Sequence, residues 1–154
     1  MIDVGTLEDA LSELGALCRC EMTAVQSYDQ ALLSPVLARF SPLLRRCRRS
    51  HQERSYLLSW RINMLGGSLP ELSEGADPVG AEEGGHANVE KAALAALEAR
   101  EERAVSEYRE RIAKLDADSR ELVESQIFRA QLETHIMMRA LKRELGVAQA
   151  HAQL

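Results

Sequence analysis

Apolar residues between positions 7 and 32 recur at alternating steps of three and four: Leu7, Leu11, Leu14, Cys18, Val25, Tyr28 and Leu32, with Glu21 set into the same stripe. That spacing places them on one face of a helix that must bury this face against something else. The rest of the chain supports helix over sheet. Leu and Ala dominate the apolar residues, Glu and Arg the charges, and only six of 154 residues are aromatic (one Trp, three Tyr, two Phe). Such a mixture is rich in helix formers and poor in strand formers, which argues against a β-sandwich or barrel. The length suits one domain with a sizeable core.

Punctuation divides the chain into four long helices. The first spans about 6–33 and stops at Ser34-Pro35, because a residue preceding proline avoids the α region. A short helical turn over Val36 to Phe40 leads to Ser41-Pro42, read as N-cap and N1 proline of a second helix over about 42–65 that ends at Gly66-Gly67. Residues 66–87 are acidic, rich in Gly and without sustained apolar period, and read as a long crossover. Asn88 is the expected cap of a third helix over about 88–115. Asp118 with Glu121 resembles a capping box opening a fourth helix over about 119–145, followed by a flexible tail, 147–154. Two helical hairpins joined by one long crossover is the connectivity of the ferritin-like four-helix bundles.

The two hairpins are related in sequence. CEMTAVQSY (Cys20 to Tyr28) aligns with REERAVSEY (Arg100 to Tyr108), pairing Glu21 with Glu101 and Tyr28 with Tyr108 at an offset of 80 residues. The same offset pairs Glu53 with Glu133, Leu58 with Met138 and Leu65-Gly66 with Leu145-Gly146. A duplicated hairpin follows. Glu21 and Glu101 both lie on core-facing stripes, where a carboxylate must be paired, protonated or metal-bound. Two such glutamates are half of a dimetal carboxylate site, whose other half is a Glu-x-x-His on each remaining helix. Here the histidines depart from that pattern: Tyr56 and Ile136 stand three residues after Glu53 and Glu133, and His51 and His135 are each two residues away. Residues two apart point about 160° apart around a helix, so neither pair can chelate one ion.

The second helix's seam, Leu44, Cys47, His51, Arg54 or Ser55, Leu58, Ile62 and Leu65, turns His51 and Arg54 inward and Glu53 away. Two arrangements stay open. In one, Arg54 reaches Glu21 or Glu101 as a buried ion pair, completed by the Tyr28 and Tyr108 hydroxyls into a polar layer. In the other, Glu21, Glu101 and His51, helped by Glu98, hold iron or manganese.

Three segments carry a resemblance that covers nearly the whole chain. LEAREERAVSEY supplies Glu98 and Glu101 ten and seven positions before Tyr108; ERSYLLSWRINMLGG supplies Arg54 on a helix ending in Gly66-Gly67; HIMMRALK supplies His135, Met138, Arg139 and Leu141. In these the chain resembles a bacterial family of ferritin-like four-helix-bundle proteins of uncharacterised function. A Gly-x-x-x-His-Arg-like stretch expected from that family is replaced by GGHANVE around His86. The resemblance implies a ferritin-like fold more firmly than any activity.

Other features bound the partners. Nineteen basic against twenty-four acidic residues give a net charge of −5, which argues against a dedicated nucleic-acid binder. The exception is local: seven arginines against Glu53 across residues 39–61, without interleaved aromatics to stack bases. That stretch reads as a solvated face or a match to the acidic crossover of another copy. Cys18 and Cys47 read as small core residues and Cys20 as partly exposed and oxidisable, Trp60 as packing or interface. The opening segment has neither a basic region nor a long apolar run, and the expectation is a chain without signal peptide or membrane span in a reducing cytoplasm. An Ala-rich third helix (Ala92 to Ala99) suggests a homo-oligomer. Two functions stay open, a non-enzymatic oligomeric or stress-associated bundle with a buried Glu/Arg/Tyr layer, and a dimetal carboxylate protein for iron handling or peroxide and oxygen chemistry. No catalytic residue or organic cofactor site is expected, because no phosphate-binding loop and no nucleophile-base pair is present.

Overall fold

The computed structural model describes residues 4–72 and 85–152, and these form an all-α structure without strands. Helix α1 (Val4–Leu33) ends where Ser34 turns to extended backbone ahead of Pro35. The following residues form a 3₁₀ segment, Pro35–Phe40, whose Leu37 is buried. Helix α2 (Ser41–Met64) has Phe40, not Ser41, at the cap position, and no side chain caps it. Its C-terminus closes with the Gly67 N–H donating to Ile62 O (2.9 Å) and the Gly66 N–H to Asn63 O (3.0 Å), the paired bonds of a Schellman motif. Gly66 takes the left-handed conformation this requires (φ 79°). A Cβ on Gly67 would meet Leu11 Cδ2 at 2.5 Å, so the second glycine lets the chain pass close to α1.

Helix α3 (His86–Ile112) starts two residues before the expected Asn88 cap, with Gly85 at the cap position. The next cap is Asp116 in place of the expected Asp118, and its carboxylate accepts from the Ser119 N–H at 3.2 Å. Arg61, at the end of α2, donates to both Ser119 (2.9 Å) and Asp116 (3.1 Å), so this helix start is tied to the rest of the bundle. From there α4 (Ala117–Leu122), a π turn (Val123–Ile127) and α5 (Phe128–Ala152) run on as one rod. It passes Gly146, where the sequence reading ends it, and reaches Ala152, so residues 147–152 of the expected tail are helical. Most of the expected crossover, residues 73–84, lies outside the described residues.

Side-chain pairs set the helix directions. Glu21 with His51 and Asp29 with Arg48 make α1 and α2 antiparallel, and Glu101 with Gln131 and Glu98 with Lys142 do the same for α3 and α5. Between the hairpins, Tyr28 meets Glu101 while Tyr108 meets Glu21, so α1 and α3 are antiparallel as well. Helices α2 and α3 therefore point the same way. The chain between them has to travel the length of the bundle, about 36 Å for the 24 residues of α2.

The core falls into two apolar clusters. One gathers Leu14, Leu17, Leu58, Ile62, Tyr108 and Val123 near the start of α1; the other gathers Ala31, Leu44, Leu94, Leu97, Met138 and Tyr28 near its end. The 80-residue offset exchanges them, carrying Leu14 onto Leu94, Leu17 onto Leu97 and Leu58 onto Met138. Between the clusters lies a layer of buried polar side chains.

Candidate functional site

That layer is built from one inward position per turn on each rod: Glu21 from α1, His51 and Arg54 from α2, Glu101 from α3, Gln131 and Thr134 from α5. All are buried, Arg54 to 2 % exposure and Gln131 completely. His51 sits at the centre. Its Nδ1 lies 2.6 Å from Glu21 and its Nε2 2.6 Å from Glu101, and its ring stacks on Tyr28 with centroids 5.3 Å apart. With both carboxyls ionised, the two ring nitrogens that face them must both donate, which is the imidazolium form of His51.

Arg54 completes the charge balance. Its Nη1 donates to Glu21 (3.2 Å) and to Oε1 of the Gln131 side-chain amide (2.5 Å), its Nη2 to Thr134 (3.1 Å) and its Nε to Ser50 O (3.2 Å). Gln131 and Thr134 in turn donate to Glu101 Oε2 at 2.7 and 2.9 Å. The hydroxyls cross over between the repeats, Tyr28 donating to Glu101 (2.7 Å) and Tyr108 to Glu21 (2.6 Å). Two carboxylates, one imidazolium and one guanidinium sum to zero. A neutral, saturated network is the condition under which such groups tolerate burial.

Proton affinities follow this geometry. Burial pushes the Glu101 carboxyl up, but bonds and charge from His51 and the Tyr28 hydroxyl outweigh it and hold the group at about 2. Glu21 is likewise lowered against burial, by Arg54 and then His51. Burial pulls His51 down, and the Glu21 charge with the two carboxylate bonds carries it above its ordinary value. Both tyrosines are raised well above theirs, first by burial and then by the carboxylate each one touches.

The donor set does not fit a dimetal carboxylate centre. The i, i+3 positions that would carry Glu-x-x-His hold His51 and Arg54 on α2 and Gln131 and Thr134 on α5. Two of these four are cations facing the carboxylates, and both His51 nitrogens are committed to hydrogen bonds. Among the described residues no three His, Cys, Asp or Glu side chains are placed to hold a metal ion. Of the four residues expected to bind metal, Glu21, Glu101 and His51 come together and Glu98 does not. It turns toward α5, where it meets His135 at 3.2 Å and Lys142 at 3.5 Å. Gln131 and Thr134 are absent from the sequence reading, yet the repeat contains them: the 80-residue offset carries His51 onto Gln131 and Arg54 onto Thr134.

Elsewhere the local excess of arginine is largely spent inside the fold. Arg39 pairs with Glu90, Arg48 with Asp29, Arg54 with Glu21 and Arg61 with Asp116, which leaves Arg45, Arg46 and Arg49 outward-facing. Cys18 and Cys47 are fully buried, and burial first, then the Glu101 charge, pushes the Cys47 thiol up to about 11. No helix among the described residues is long and apolar enough to cross a membrane. Compared with known protein families, curated proteins and solved structures, the chain finds no match.

Proposed function

We propose that the chain is a ferritin-like bundle whose metal-binding layer is rebuilt from its own cations, and that it works as a non-enzymatic oligomeric or stress-associated bundle rather than as an iron or manganese redox enzyme. One observation carries this reading: the His51 ring bridges Glu21 and Glu101, a nitrogen 2.6 Å from each carboxylate. A bridging cation is what a dimetal centre would supply between those carboxylates. The helix directions support the ferritin-like assignment, since parallel α2 and α3 demand a long connection between two antiparallel pairs, and the hairpin repeat relates those pairs. A buried polar layer of this kind penalises any slip of one helix against another, because a slip leaves a charge unpaired.

Oligomerisation is supported by the outer side of α2. Tyr56, Trp60 and Met64 recur every four residues there and are exposed at 64, 53 and 62 %. A stripe of large apolar groups in water marks an association surface more often than an isolated exposed residue does.

Elemental analysis tests the reading. Protein purified without chelator and then equilibrated with Fe(II) or Mn(II) and desalted is expected to retain no stoichiometric metal. Retention of one or two equivalents that disappears in both Glu21→Ala and Glu101→Ala would overturn it in favour of the dimetal alternative.

A further inference from the structure

Helices α1 and α3 do not close fully against each other. Between them lies a cavity of about 330 Å³, within the roughly 300–1,000 Å³ typical of small-molecule sites. Short side chains create it: Thr23, Ala24 and Ser27 on one side and Ala104 on the other leave space that leucines would fill. The inner end is the polar layer itself, where Glu21, Tyr28, His51 and Glu101 line the cavity. Their charges are matched and their polar atoms already bonded, so the inner end asks for no polar partner, and the apolar lining comes from the half-buried Ala16, Ala24 and Ala104.

The rim is different. Arg19, Arg100, Arg103 and Arg111 line it along the length of the two helices, together with Glu107. Glu107 is bonded to Arg111 at 2.7 Å. Arg19 and Arg103 are exposed and form no ion pair with a carboxylate among the described residues. A neutral, largely apolar chamber with an arginine-lined rim selects ligands by both parts, taking up an apolar body and holding an anionic end at the rim.

We propose that this cavity binds a small amphipathic organic anion, a medium-chain carboxylate, with its hydrocarbon tail between α1 and α3 and its carboxylate on the arginine-lined rim that includes Arg19 and Arg103. The site rests on the metal-free reading of the polar layer, whose balanced charges leave its inner end neutral, and the metal-retention test above can fail without the binding test below doing so. Cys20 lines the same cavity and is partly exposed, whereas Cys18 and Cys47 are fully buried. Its thiol therefore reports occupancy.

The experiment titrates the full chain with octanoate, octylamine and 1-octanol by calorimetry, and follows alkylation of Cys20 by N-ethylmaleimide at saturating octanoate. Octanoate is expected to bind and to slow alkylation, while octylamine does neither and 1-octanol binds more weakly. The double variant Arg19→Glu, Arg103→Glu should weaken octanoate about tenfold, equivalent to ~1.4 kcal/mol. Ala104→Leu should abolish binding by filling the chamber; if that variant does not fold, Ala24→Leu fills the same space from α1. The proposal is overturned if octanoate fails to bind, if octylamine binds as well as octanoate, or if a folded cavity-filling variant keeps wild-type affinity.

Discussion

Replacing His51 by Gln removes the one cation of the layer that titrates near neutral pH while leaving a side chain that can still hydrogen-bond. In the folded wild type the imidazolium faces Glu21 on α1 and Glu101 on α3, with Arg54 on its own helix and the Tyr28 hydroxyl beside it. Its proton affinity is raised above the ordinary value of 6.5. Above that value the unfolded chain releases the proton and the folded chain keeps it. The contribution is therefore complete below about pH 6.5 and is lost as pH rises through the folded value, at a slope of ~1.4 kcal/mol per pH unit. The opposing limit lies in acid. Glu21 and Glu101 are depressed below 4.5, so their contribution is present above that value and fades as pH falls through their folded values, about 2 for Glu101. Stability from this layer should then be greatest between about pH 4.5 and 6.5.

In His51→Gln the layer carries a net charge of −1 in the interior. Breaking a buried pair by removing one partner costs about 3–5 kcal/mol, which for a chain of this size corresponds to a melting temperature lower by roughly 6–20 °C. The assay is urea denaturation at a series of pH values from 5 to 9, wild type against variant. The difference in unfolding free energy should be large at pH 6 and shrink as pH rises, because only the wild type has a proton to lose at this site. A loss under about 1 kcal/mol at pH 6, or two profiles that stay parallel from pH 6 to 9, would refute the imidazolium assignment.

Two further outcomes follow from other contacts. Arg54→Met should lower unfolding free energy by about 3–5 kcal/mol, because Glu21 loses its guanidinium while Gln131 and Thr134 lose a donor; adding Glu21→Gln should restore part of that loss, which a double-mutant cycle by chemical denaturation measures. Asp116→Ala removes both the cap of α4 and the anchor for Arg61, and should cost about 1–2 kcal/mol in the same assay without changing the pH profile.

Helix content and inward faces were legible in the sequence because periodicity is a local property. The three-and-four spacing picks out Leu14, Cys18, Glu21 and Tyr28, and the second seam Cys47, His51, Arg54 and Leu58, all buried in the structure, while Leu7, Leu11, Val25 and Leu32 are half-buried. Helix ends were less legible. Asp116 competes with Asp118 for the same cap, and it wins because Arg61, 55 positions away in sequence, anchors it. The π turn over Val123–Ile127 and the helix beyond Gly146 have no sequence signature in this chain.

By itself the sequence determined that two carboxylates would be buried at matching places in a duplicated hairpin, and that a His and an Arg would share their level. The repeat also held Gln131 and Thr134, at the positions matching His51 and Arg54. Only the tertiary structure decided who answers whom. The tyrosines bond across the repeats because α1 and α3 run antiparallel, and His51 bridges both carboxylates because α2 presents it to the bundle axis. Glu98 leaves the layer because three residues turn it about 60° from Glu101, toward His135 and Lys142. Burial is written into one helix at a time, whereas pairing depends on the direction, rotation and height of two.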